Sequence, residues 1–517
     1  MAHASGANLS RPAPPVRAPL AESPLPAPRP RPRRAHPPPL PPTRIPAGFS
    51  DMLADLGKMI SADPAGGQSG EPQRDAAPSF EDNAPSWEEL AGMVAARRRE
   101  LDVPEVDLET GPPNPMAMRR MFGQEGPPRI KLYRDHAAWC PYCQKVWMQL
   151  EEKRIPYVLE KINMRCYGEK PESFLRITSA GLLPVMEFDG KVVTESIEIA
   201  KLLEREFPET PLLPPEGSDR QKVNALLRLE RKIFSAWCQF LCNNWGQAGL
   251  RRQFESTLDE VEAALKSSGG PYFLGADFSL VDVTFAPFLE RMAASLAYYK
   301  GLKMRGTGQW PALERWFDEM ETRPAYLATR SDYYTHAHAL PPQLGGCTMI
   351  KEGEPVAAAV DGGAWRLPLP PLSSTSSPEP YSPGDDPSLD RLEAAARLVG
   401  NHADVIRFGM RATGEPGDVP VWAPLADPSA RPGEWGRDRV DAGFRHVAHA
   451  LLVGVEEKQA SGAALRLADG PGSAEGLAPV YAAMYVRDRV GVPRDLRFPA
   501  ARQLRAHFNW LIDSLCA

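Results

Sequence analysis

Residues 130–143 read Ile130-Lys131-Leu132-Tyr133-Arg134-Asp135-His136-Ala137-Ala138-Trp139-Cys140-Pro141-Tyr142-Cys143. The stretch from Ile130 to Tyr133 has the pattern of a strand. The apolar residues after the cysteines, Val146, Trp147 and Leu150, are spaced for one face of a helix. A Cys-x-x-Cys pair therefore falls at a strand-to-helix junction. Pro141 belongs at the first helical position, where its missing N–H costs nothing, and this puts Cys140 at the N-cap. A sulfur there is expected to accept from the backbone N–H two or three residues on, and the helix dipole adds positive potential, so the thiolate is favoured over the thiol. Attack gains little, because nucleophilicity falls along with proton affinity. Departure gains more: a mixed disulfide on Cys140 breaks faster when the leaving thiolate is stable. Cys143, three residues into the helix, reads equally as an internal resolving thiol or as a packed helix residue. Against the alternative of a buried, unreactive pair, the junction favours thiol-disulfide exchange. No second such pair lies at zinc-finger spacing, so a structural zinc has little support.

Working outward, a second strand is expected near Tyr157 to Ile162, a helical stretch at Glu172 to Ile177, then strands at Val185 to Phe188 and Lys191 to Thr194. Asp189-Gly190 between them is a hairpin signal. A helix with Ile199, Leu202, Leu203 and Phe207 on one face closes the unit. This order matches a thioredoxin-like α/β unit over residues 126–212, its first two strands joined by a crossover helix and so parallel. Residues 213–335 read as all-helical, with segments at 219–243, 250–267, 279–298 and 310–320. Ser279 and Asp282 form a capping box there. Residues 336–387 have linker composition. Residues 388–517 return to amphipathic helices and form a helical extension. His402, His446, His449 and His507 lie in the extension, but without nearby carboxylate or cysteine ligands they read as ordinary helix residues, and no metal is expected. Upstream, residues 85–125 form a lead-in whose Ser86-Trp87-Glu88-Glu89-Leu90 opens a capped helix ending near Arg99.

Residues 1–50 hold fifteen prolines and seven arginines, with Glu22 the one acidic side chain. Such a segment cannot bury a core, and residues 1–84 read as a targeting or disordered Pro-rich stretch, with a chloroplast address favoured and a cytoplasmic protein the alternative. The formal net charge of -6 gives the chain no overall basic footprint, so nucleic acid and anionic membrane are not expected partners. No stretch approaches the roughly 18 to 20 apolar residues of a membrane span. Seven cysteines, unevenly spaced, do not make a disulfide scaffold. Cys238 and Cys242, at i and i+4 among aromatic residues, read as helix core.

The order of strand, Cys140-Pro141-Tyr142-Cys143, Leu183-Pro184-Val185, Glu195-Ser196 and a following helical domain resembles the cysteine-type soluble glutathione transferases. Similarity to the omega-like group runs through Lys170-Pro171-Glu172. The tract Arg134 to Trp139, the extra carboxyl-terminal domain, Arg487 to Pro493 and Pro499 to Trp510 look most like the iota class of photosynthetic organisms. The resemblance implies that Leu183, before a cis Pro184, pairs through its backbone with the cysteinyl unit of glutathione. It further implies that Glu195 and Ser196 hold the γ-glutamyl end and that Lys170 meets the glycyl carboxylate. A helix opening at Ser196 favours a carboxylate, and Glu195 suits an ammonium. The implied activity is glutathione-dependent thiol transfer with glutathione as co-substrate: removal of glutathione from mixed disulfides, dehydroascorbate reduction, or reduction of glutathionyl adducts. Conjugation is the lesser expectation, and Tyr133 reads as a packing residue. Retention of Cys143 leaves a dithiol cycle open. An iron-sulfur cluster, held by one cysteine and glutathione between subunits, is disfavoured. The competing reading is a non-catalytic binding or assembly platform using the carboxyl-terminal helices. A homodimer is the expected assembly by family resemblance.

Overall fold

A computed structural model describes residues 83–164, 167–214, 217–363, 365–373, 377–380, 386–417, 425–456 and 474–516. The reading of residues 1–84 as a targeting segment lies almost wholly outside these residues, as does Cys166.

The sheet has the order β1-β3-β2-β4-β5, with β1 at Arg119–Arg120, β2 at Ile130–Asp135, β3 at Tyr157–Ile162, β4 at Val185–Phe188 and β5 at Lys191–Thr194. Strands β2 and β3 are parallel, from Ile130 opposite Tyr157 to Asp135 opposite Ile162, as the crossover requires. The hairpin β4–β5 closes through Asp189 (φ 48°) and Gly190 (φ 77°), two left-handed residues of the kind a two-residue loop needs. The period of two along β2 divides the core. Ile130 and Leu132 pack with Val146, Trp147 and Leu150 of the crossover helix, while Tyr133 turns to the other face with Ile162, Phe174 and Val185. The result is a thioredoxin-like sheet unit followed by a helical domain.

Strand β1 was not anticipated, and it carries the sheet upstream of residue 126, into the stretch read as lead-in. Two arginines show no apolar alternation, yet Arg120 is fully buried and bonds Glu151 at 3.1 Å, while the Tyr157 hydroxyl donates to the same carboxylate at 2.7 Å. A paired, hydrogen-bonded charge is the form in which arginine enters a core. The lead-in helix, α1 (Trp87–Glu100), packs on helices of the carboxyl-terminal extension. Its Trp87 indole donates to Asp441 at 2.8 Å and stacks on the His402 ring at 4.5 Å.

Four helices complete the sheet unit and open the second domain: α2 (Pro141–Glu152), α3 (Glu172–Ile177), α4 (Ser196–Glu206) and α5 (Ser218–Cys242). Then come α6 (Gln247–Ser268), α7 (Leu280–Lys300), α8 (Pro311–Met320), α9 (Pro324–Thr329) and α10 (Tyr333–Leu344). Helix α7 is buried along its whole length and forms the axis of the domain. Its Asp282 accepts from the backbone N–H groups of Ser279 at 2.9 Å and Phe273 at 3.1 Å and from the Trp316 indole at 2.9 Å, so the capping box also pins two neighbouring segments.

The stretch read as linker is partly helical: α10 runs to Leu344, and α11 spans Glu354–Asp361. Pro341 and Pro342 sit in the last turn of α10. The carbonyl that Pro341 leaves without an N–H partner, that of Ala337, accepts the Tyr299 hydroxyl at 2.8 Å. The segment entering α11 touches α7 so closely that a Cβ on Gly353 would lie 2.4 Å from the Tyr298 carbonyl oxygen. The extension comprises α12 (Pro387–Gly400), α13 (His402–Gly409), α14 (Arg437–Val453), α15 (Ala474–Arg487) and α16 (Phe498–Cys516). A buried ion pair, Arg505 to Asp332 at 2.6 Å, joins α16 to the start of α10. His402 and His507 bond carbonyls of their own helical region, Val399 at 2.8 Å and Gln503 at 2.7 Å, and burial holds the His507 imidazole down at about 4.

Candidate functional site

The turn between β2 and α2 is set by side chains that flank it. The Asp135 carboxylate accepts the Trp139 backbone N–H at 2.6 Å and folds the chain back after the strand. Ala138 sits at φ 54°, and Pro141 starts α2, leaving Cys140 at the N-cap and half-buried. The position is the expected one, but the expected bond from a backbone N–H to the sulfur is not formed. Cys143, 1% exposed, stands beside it, its sulfur within 4.8 Å of the Cys140 sulfur. Burial first, and then the neighbouring Cys140 sulfur and its charge, push the Cys143 thiol well above its ordinary range. Asp135, Cys140 and Cys143 present ligand atoms within 4.8 Å of one another, and one Asp135 carboxylate oxygen accepts the Trp139 N–H.

Beneath the turn lies a polar cluster that the sequence reading missed. Arg291 of α7 is buried. It donates to the Trp139 carbonyl and, at 3.0 Å, to Gln144 of α2, and it pairs with Glu290 at 2.9 Å. Its guanidinium lies 4.7 Å from the centre of the Trp139 ring. The Trp139 indole donates to Nδ1 of His336 at 3.0 Å, which leaves the His336 proton on Nε2, 3.3 Å from Glu290. Burial first and then Arg291 lower the His336 proton affinity, so its ring is neutral. Burial also weakens the Arg291 cation, but Glu290 and Cys140 act in its favour; the guanidinium thus supplies positive charge behind the sulfur. One signal was available in the sequence: Glu290-Arg291 is the one charged pair in a run from Phe285 to Tyr299 that is otherwise uncharged and mostly apolar.

The remaining residues named from the sequence fall around this turn. The Leu183-Pro184 peptide is cis and leads directly into β4, whose Val185 pairs with Tyr133. Glu195 stands at φ 66°, an uncommon conformation for a non-glycine residue, and no side chain caps the helix that begins at Ser196. Glu195 is exposed, and its charge is felt by the Tyr142 phenol two residues past Cys140. Lys170 is half-buried and donates to the Asn163 carbonyl at 2.7 Å; a Cβ on Gly181 would lie 3.3 Å from its side chain, so Lys170 sits beside the loop leading to Leu183. The Tyr133 hydroxyl donates to Glu187 at 2.6 Å. Cys238 and Cys242, read as helix core, are only partly buried, and Cys347, distant in sequence, lowers the proton affinity of the Cys242 thiol while its own is raised.

Residues 139–206 match the family described as glutathione S-transferase, N-terminal domain, and residues 230–319 the family described as glutathione S-transferase, C-terminal domain. Glutathione S-transferase DHAR2 of Arabidopsis thaliana is 35% identical over 162 residues, 31% of this chain and 70% of the relative. Glutathione S-transferase DHAR3, chloroplastic, of the same species is 31% identical over 194 residues, 37% of this chain and 69% of the relative. The crystal structure of glutathione transferase Omega 3C from Trametes versicolor is 31% identical, with 41% of this chain and 93% of that one aligned and a TM-score of 0.36.

Proposed function

The chain belongs to the glutathione S-transferase family, whose co-substrate is glutathione, and from that premise we propose that it is a thiol transferase and reductase of the cysteine type working through Cys140. One observation carries the reading: of the two thiols at the turn, Cys140 is the accessible one at a helix start, and Cys143 beside it is buried and held protonated. The Cys140 thiolate attacks the glutathionyl sulfur of a mixed disulfide. The disulfide breaks, the substrate thiolate leaves and takes a proton from water, and Cys140 carries the glutathionyl group. The thiolate of a second glutathione attacks that glutathionyl sulfur, forming glutathione disulfide and returning the Cys140 thiolate. In this cycle Cys143 stabilises the departing thiolate by hydrogen bonding and does not resolve the intermediate.

Glutathione is held by the backbone of Leu183 beside cis Pro184, by Glu195 and the uncapped start of α4 at Ser196, and by Lys170. The open helix start suits the γ-glutamyl carboxylate and Glu195 its ammonium, while Lys170 would exchange the Asn163 carbonyl for the glycyl carboxylate. The second substrate is a glutathionylated thiol, a glutathionyl adduct or dehydroascorbate, and the relatives DHAR2 and DHAR3 favour a reductive use of the site. Chloroplast delivery by residues 1–84 and a homodimer belong to the same reading. The relative DHAR3 is named chloroplastic, and a fluorescent fusion of residues 1–84 and light scattering of the purified chain test the two points.

The test is glutathione-dependent reduction of a glutathionylated peptide, run beside conjugation of an electrophile, in the wild type, Cys140→Ser and Cys143→Ser. Disulfide reduction in the wild type and in Cys143→Ser, with none in Cys140→Ser, is the expected result. Undiminished turnover in Cys140→Ser would refute the mechanism.

A further inference from the structure

Two tracts stay outside this chemistry: His136 to Trp139, ahead of the thiol, and Asp488 to Arg494, between α15 and α16. Residues of both line one cavity of about 310 Å³. A second lobe of about 580 Å³ adjoins it, and Phe408, Arg411, Arg489 and Arg494 line both. These volumes suit a small organic molecule.

The lobes contain acids as well as bases, but the two are not equally committed. Asp495 is held by Arg494 at 2.7 Å and by the Gly491 N–H at 2.8 Å, Asp488 by Arg487 at 2.8 Å, Asp404 by Arg407 at 2.8 Å, and Asp427 accepts the Gly417 N–H at 3.2 Å. Three cations are left over. Arg411 donates to the Asp427 carbonyl at 3.1 Å. Arg489 donates to the carbonyls of Leu425 at 2.8 Å and Tyr485 at 3.2 Å and lies 3.5 Å from the centre of the Tyr485 ring. Arg397 faces the second lobe. Among the described residues none of these three has a carboxylate within ion-pair distance.

Arg494, although paired with Asp495, and the unpaired Arg397 both act on groups nearby. Burial first and then Arg494 lower the proton affinity of His136, whose Nδ1 is buried without a partner, and Lys161 is lowered by burial and by Arg134 and Arg397. A partly desolvated guanidinium without a counter-charge is costly, and its planar fork matches the two oxygens of a carboxylate or phosphate.

We propose that this cavity is a binding site for a small oxyanion-bearing molecule, a carboxylate or a phosphate, gripped by Arg411 and Arg489 with Trp139 also in its lining. Occupancy does not depend on Cys140 chemistry. Because Trp139 also rests on Arg291 and His336, a ligand here would touch the back of the thiol turn.

Calorimetric titration of the full chain with inorganic pyrophosphate and, separately, with citrate at fixed ionic strength tests this, using the wild type, Cys140→Ser, Arg411→Gln and Arg397→Gln. Saturable binding of at least one probe is expected, unchanged in Cys140→Ser and weakened at least about ten-fold in Arg411→Gln with an unaltered melting temperature. Preference for pyrophosphate marks a phosphate ligand and preference for citrate a carboxylate. If Arg411→Gln does not fold, a smaller loss in Arg397→Gln serves in its place. The absence of saturable binding by both probes, or equal affinity in both arginine variants and the wild type, would overturn the proposal. Cys140→Ser separates this outcome from failure of the thiol mechanism.

Discussion

Among the described residues two pairs of neighbouring thiols stand in very different settings. In each, one thiol is held well above its ordinary range beside its partner: Cys143 beside Cys140, and Cys347 beside Cys242. The Cys347 thiol, against burial, holds the Cys242 thiol below its ordinary range. The surroundings differ in sign. Cys140 stands at the start of α2, where the helix dipole favours a thiolate, whereas Cys242 is the last residue of α5, where the dipole opposes one. Cys140 has Arg291 behind it, and the charge of Glu195 reaches Tyr142 two residues on, but Cys242 has Lys300 as its charged neighbour and Cys238, whose own thiol burial raises to about 12. A sulfur contact is therefore not a site. In the proposed function it is the helix start, the buried cation and the adjoining loops that set the first pair apart as the candidate site.

Exchange of the reacting sulfur gives the largest expected effect. Cys140→Ser should lower glutathione-dependent disulfide reduction by about a thousand-fold or more, while Cys242→Ser should leave it within about two-fold, measured as steady-state rates. Equal losses would erase the distinction between the pairs. Next comes the cation beneath the turn. Arg291→Met should cost about 3–5 kcal/mol in denaturant unfolding, because Glu290 is left buried without its partner. The double variant Arg291→Met/Glu290→Gln should recover much of that stability without recovering the turnover of the wild type. A smaller effect is expected from Cys143→Ser, which keeps a hydroxyl donor to Cys140 and should retain turnover within about ten-fold.

Away from both pairs, Asp332 joins the two helical regions. Burial would raise its carboxyl, but Arg505 and the contacts of Thr335 hold it below the usual carboxylate range. A lowered acid stabilises the fold above its unfolded value, about 3.9, and that contribution is lost as pH falls through the folded value. Unfolding free energy should thus fall less steeply below about pH 4 in Asp332→Asn than in the wild type, although the variant is less stable throughout. A parallel pH dependence would contradict that role for the pair.

Much of the first pair's setting was legible, because it is built from neighbours in sequence. Strand, turn, Pro141 and the helix face lie within about twenty residues. The hairpin at Asp189-Gly190 was equally local. What escaped notice is what the fold assembles from a distance: Arg291 and His336 under Trp139, Cys347 against Cys242, and Arg119–Arg120 as an edge strand. The end of helix α10 was hidden by the Pro- and Gly-rich composition of residues 336–387, which does not reveal that a tyrosine hydroxyl takes up the carbonyl freed at Pro341. The lead-in helix was read, but its docking against the extension through Trp87 and Asp441 was not, because neither residue signals the other.

The measurement that decides most is intact-mass and peptide mapping after one equivalent of glutathionylated peptide is mixed with the protein in the absence of free glutathione. One glutathionyl group on Cys140, present also in Cys143→Ser and discharged when glutathione is added, is the expected result. A group carried instead by Cys242, or turnover without any adduct on Cys140, would contradict it.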